Sequence, residues 1–179
     1  MKKGYLFIQL AILAFVLIGF SSCKKDDEVP ANVIEDQSGV KVELQWLIAT
    51  TNSTQSTSLS DTDLDFYLYK QPAIEISGNN TNIMLRSYNE DSYESFTLND
   101  LTTLEDETKL VDGTYVLGVK VYSSYTNGTL DIVTTGVSTN KTYKINSTYT
   151  ASQEGTTIRP FATITKSGSK YTIKSVSAN

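Results

Sequence analysis

The chain has 179 residues, with 15 Lys and Arg against 20 Asp and Glu, a net charge of −5, no histidine and one cysteine. An acidic chain without a basic patch is a poor partner for nucleic acid, whose affinity rests on Lys and Arg contacts with phosphate. Without histidine there is no Ser-His-Asp triad, no Cys-His dyad and no His-bearing metal site, and a single cysteine allows no intrachain disulfide. No glycine-rich phosphate loop is present either. Carboxylate chemistry, carboxylate–calcium binding and aromatic recognition remain open.

Met1-Lys2-Lys3 is a short basic start, and Leu6 to Phe20 is almost wholly apolar, with Gln9 its one strongly polar residue. Such a run is a signal-peptide core, too short to span a bilayer comfortably. It ends in Phe20-Ser21-Ser22-Cys23, the placement of a bacterial lipobox, with Phe20 where leucine is usual. The pattern predicts cleavage after residue 22, diacylglycerol on the Cys23 thiol and acylation of its amine, for example by palmitate. Two or more acyl chains make a stable membrane anchor where one does not. Lys24-Lys25-Asp26-Asp27-Glu28 follows directly. This run resembles the surface-export signal of Bacteroidota lipoproteins, which implies display on the outer face of the outer membrane. Residues 23–38, with Pro30 and several acids, read as the acylated cysteine and an extended tether.

Residues 39–179 read as one domain of strands. In Val40 to Ile48 the residues Val40, Val42, Leu44, Trp46 and Ile48 alternate with Lys41, Glu43 and Gln45, the pattern of a half-buried strand with Trp46 in the core. A Ser/Thr-rich loop over Thr50–Thr62 follows. Asp63 to Tyr69 then places Leu64, Phe66 and Leu68 on one face and Asp63, Asp65, Tyr67 and Tyr69 on the other. Ala73–Ser77 and Ile83–Tyr88 flank the turn Gly78-Asn79-Asn80, and Tyr93–Leu98 is a short strand. Asn99–Lys109 is irregular, with Leu101 and Leu104 expected to pin it to the body. Thr114–Ser123 is apolar through Tyr115, Leu117, Val119 and Val121, and Asn127-Gly128 signals a hairpin into Thr129–Thr135. Lys141–Thr150, Thr157–Thr165 and Tyr171–Val176 complete the set. The expectation is an all-β fold, an antiparallel β-sandwich of jelly-roll or Ig-like kind.

Trp46, the strand Asp63-Leu64-Asp65-Phe66-Tyr67-Leu68-Tyr69, and Asp112-Gly113-Thr114-Tyr115-Val116-Leu117-Gly118-Val119 resemble bacterial pre-peptidase C-terminal-type domains. These are jelly-roll-like sandwiches appended to secreted enzymes. The resemblance covers about a third of the domain, implies an accessory or binding module, and carries no catalytic residue over.

Asp61, Asp63 and Asp65 alternate and are candidate calcium ligands, although Phe66 and Pro72 stand where an EF-hand loop needs glycine and glutamate. Asn89-Glu90-Asp91 with Glu94, and Asp100 with Glu105-Asp106-Glu107, read as solvated acidic loops. Of the 11 tyrosines, Tyr67, Tyr69, Tyr88, Tyr93, Tyr122 and Tyr125 fall on polar faces or loop ends, where tyrosine stacks on sugar rings or anchors a protein partner. The ligand site expected from this pattern is Asp63, Asp65, Tyr67 and Tyr69. The function expected is a non-catalytic binding or accessory module for glycan or a surface protein. The alternatives are a small carboxylate-based glycan hydrolase and a structural envelope lipoprotein.

Overall fold

The computed structural model describes residues 29–48, 62–88, 93–124 and 126–176. The signal segment 1–22, Cys23, Lys24–Glu28, Thr50–Asp61, Asn89–Asp91 and Tyr125 lie outside the described residues. The chain divides into units of residues 1–30 and 31–179, and the second holds the fold. Among the described residues no helix is long and apolar enough to cross a membrane.

The second unit is all-β. Its strands are β1 (Val33–Glu35), β2 (Val40–Ile48), β3 (Thr62–Lys70), β4 (Ile76–Ser77), β5 (Ile83–Ser87), β6 (Tyr93–Leu98), β7 (Gly113–Ser124), β8 (Gly128–Gly136), β9 (Thr142–Tyr149), β10 (Thr157–Ser167) and β11 (Lys170–Ser175). They form two antiparallel sheets. The larger runs β1-β11-β10-β7-β3-β5, with β4 paired to the start of β10, and the smaller runs β6-β2-β8-β9.

The inward residues of both sheets share one core, which makes the arrangement a sandwich. Val40, Val42, Leu44 and Trp46 of β2 meet Leu64, Phe66 and Leu68 of β3 and Leu117, Val119 and Val121 of β7. Phe66 and Phe96, from opposite sheets, stack with ring centroids 4.7 Å apart. Trp46 is buried as its alternation predicts, and its indole N–H donates to the Thr62 carbonyl at 3.2 Å.

Four expectations are corrected. Residues 33–38 are not tether: β1 pairs with β11, and Ile34 is fully buried. Three residues are too few to show an alternation, so the strand left little trace in the sequence. Ala73–Ser77 keeps only the two-residue β4. Asn127-Gly128 joins no hairpin, because β7 and β8 belong to different sheets. Gly128 is needed there for space, since a Cβ would collide with the Tyr149 hydroxyl and the Leu47 carbonyl. Leu104 is buried as expected, but Leu101 is exposed.

Two carboxylates fasten loops to this frame. Asp36, buried after β1, accepts hydrogen bonds from the amides of Ser38, Ser138 and Thr139 at 2.8 Å each and from the Ser138 and Thr139 hydroxyls. Burial alone would raise its pKa, but these donors outweigh that and hold the carboxyl well below its usual range. Asp112 accepts from the Gly168 amide at 2.9 Å and, with Asp100, from Lys166 Nζ at 2.8 and 2.7 Å. Burial works against the Lys166 ammonium, yet the two carboxylates prevail and push its pKa up to about 12.

Candidate functional site

The outer face of β3 is where the sequence places its ligand site, and the structure splits that face in two. Toward the end of β3, Tyr67 and Tyr69 are buried, so the expectation that both face solvent is corrected. The segment 71–83 folds back over the sheet and closes a second apolar cluster of Tyr67, Tyr69, Ile76, Ile83, Val116 and Ile158. The Tyr69 hydroxyl donates to the Ile74 carbonyl at 2.9 Å. Gly118 makes this possible, because a Cβ there would lie 2.6 Å from Ile158 Cγ2 and 2.7 Å from Tyr69 Cε1. Tyr69 therefore packs, and offers no surface to a ligand.

Toward the start of β3 the face is polar. Asp65 stands opposite Lys120 of β7, and Tyr67 opposite Arg86 of β5. Asp65 Oδ2 accepts from Lys120 Nζ at 3.0 Å and from the Tyr67 hydroxyl at 3.1 Å. Burial and the Asp65 charge push the Tyr67 phenol far above its usual pKa, while Arg86 opposes them. Tyr67 thus stays neutral, and its hydroxyl donates to Asp65.

Two exposed tyrosines rim this polar pair. Tyr122 is 59% exposed, and its ring centroid lies 4.4 Å from Lys120 Nζ, within cation–π reach. Alternation with the buried Val121 turns it outward, and it is the extra residue of a bulge on β7, since Asp63 pairs with Ser123 and Leu64 with Val121. Tyr88, 65% exposed, follows β5 directly and stands level with Asp65, one step past the Phe66–Ser87 pair. Strands β5 and β7 flank β3, so the rims sit about 10 Å apart across the sheet. Beside them lies a groove of about 300 Å³. Tyr67, Lys120 and Arg86 form one side, and Ser77-Gly78-Asn79 with Thr156 the other. Arg86 Nε contacts Glu105 at 2.8 Å.

The remaining candidates are dispersed. Asp61 is outside the described residues, Asp63 is half-buried, and Asp65 has its charge matched by Lys120. Among the described residues, no three carboxylates or other metal-ligating side chains gather as a metal site. Glu94, read as part of a solvated cluster, is fully buried and accepts a hydrogen bond from the Ser87 hydroxyl. Tyr93 is half-buried on the smaller sheet, where its hydroxyl donates to Glu43.

No family model matches this chain, and no curated protein or solved structure does.

The β7 side of the site was readable from sequence. Lys120 and Tyr122 alternate with the apolar Val119 and Val121. The burial of Tyr67 and Tyr69 was not, because it depends on segment 71–83 returning over the sheet.

Proposed function

We propose that the protein is a lipoprotein anchored through Cys23 on the outer face of the outer membrane, and that its sandwich, of jelly-roll or Ig-like kind, binds glycan without cleaving it. The observation that carries the binding reading is the pair of exposed tyrosines, Tyr88 and Tyr122, flanking Asp65 and Lys120 beside an open groove. Flat aromatic surface covers the apolar face of a sugar ring, and polar residues of the groove such as Ser77, Asn79 and Arg86 meet its hydroxyls. The carboxylates paired with the groove's two cations are engaged there, Asp65 with Lys120 and Glu105 with Arg86, which favours binding over acid–base catalysis. The anchor rests on Cys23 at the end of the apolar run, and the address on Lys24–Glu28.

The test has two arms. Cys23→Ala is expected to abolish incorporation of labelled fatty acid, and equal labelling of the variant refutes the anchor. A glycan screen with parallel detection of released sugar is expected to give binding without release. Replacing Tyr88 and Tyr122 together by alanine should weaken that binding about tenfold or more with the melting temperature kept. Release of sugar refutes the non-catalytic reading, and undiminished binding by the double variant refutes the site.

A further inference from the structure

We propose that the ligand of this face is an acidic saccharide, whose carboxylate or sulfate seats between Arg86 and Lys120 in the groove. The inference deepens the sugar reading above and rests on it. The groove is lined by two cationic side chains, two hydroxyl residues, an amide side chain, glycine and Tyr67, with no carboxylate among them. Asp65 lies behind, buried at 5% exposure against Lys120 and Tyr67. Its charge holds Lys120 in place. It is not presented at the surface as an acceptor for sugar hydroxyls.

The donors are in excess. An ammonium has three N–H groups and a guanidinium five, set in a fork that matches a planar acid group. Asp65 takes one donor from Lys120, and Glu105 takes Nε of Arg86. The Arg86–Glu105 pair is itself solvent-exposed on both sides, and such pairs hold weakly enough to yield to a ligand. The Tyr67 proton is committed to Asp65. A neutral sugar offers only uncharged acceptors, and its hydroxyls are donors as well, which leaves this cationic lining under-used. An acid group brings only acceptors, and a charge-assisted contact is the stronger kind.

The probes are oligogalacturonate, sulfated galactan oligosaccharides, and the carboxyl-reduced and desulfated neutral counterpart of each, titrated calorimetrically into the purified protein. The expected result is that one acidic probe binds at least about tenfold tighter than its neutral counterpart, the scale of one charge-assisted contact. The two acidic probes separate carboxylate from sulfate. Arg86→Gln, at an exposed position, should remove the acidic preference without moving the melting temperature, and Lys120→Arg should retain it. Equal affinity for acidic and neutral probes overturns the inference, as does an acidic preference that survives Arg86→Gln. If the neutral probes bind and the tyrosine double variant abolishes that binding, only the acidic preference falls. If no saccharide binds, both readings fall.

Discussion

Replacing Asp36 by alanine tests the account of how this fold is fastened. The carboxylate accepts from three amides, those of Ser38, Ser138 and Thr139, and from two hydroxyls. Ser138 and Thr139 are exposed, so their hydroxyls turn to water at little cost. The amides are fixed by the backbone, and each loses a charged acceptor at a cost of about 1 kcal/mol, giving about 3 kcal/mol in all. For a domain of this size that corresponds to a fall in melting temperature of about 10 °C. Asp36→Asn, which keeps one acceptor oxygen, should fall in between. The pH dependence adds a second readout. The folded carboxyl is held well below its unfolded value of about 4, so its contribution is present above that pH and is lost as the solution becomes more acidic. The gap in stability between the parent and Asp36→Ala should therefore narrow in acid. Thermal and urea unfolding across the acid range measures both effects. A melting temperature within about 2 °C of the parent, or a gap constant with pH, refutes the reasoning.

Trp46→Ala should cost about 3–5 kcal/mol, because the indole is buried in the shared core and its N–H bond to Thr62 goes with it. Chemical denaturation reads this directly, and an unchanged midpoint would remove Trp46 from the core. Lys166→Met should act at the other end of the pH scale. The folded ammonium titrates near pH 12 against about 10.4 unfolded, so its contribution is full below the lower value and is lost as pH rises through the higher. Alkaline unfolding curves of parent and variant should approach each other above pH about 10.4 and converge only above about 12, and parallel curves would count against the pairing with Asp100 and Asp112.

The sheets were largely legible because their signal is local. Val40–Ile48 and Tyr93–Leu98 were bounded from alternation and composition at the residues the structure gives them, and Tyr115, Leu117, Val119 and Val121 all face the core. What escaped was non-local. Val33–Glu35 is a strand only because β11 lies beside it. Asp36 looks like any acid in a polar stretch until the loop at Ser138 and Thr139 is brought to it. Tyr67 and Tyr69 obey the alternation and point away from the core, as expected. A two-face reading cannot foresee that another part of the chain covers the outer face. Asn127-Gly128 has the chemistry of a tight turn, but the chain uses it to cross between sheets.

The wall of the groove stands on foundations of its own. Segment 71–83 is held by Tyr69, Ile76, Ile83, Val116 and Ile158, a cluster separate from the one that joins the two sheets. Changes of length or composition in that segment would reshape the groove while leaving the load on the main core untouched. In descent, such an arrangement lets ligand preference drift faster than architecture. Proteins sharing this scaffold should diverge first at Ser77-Gly78-Asn79 and last at residues such as Leu44, Phe66 and Leu117.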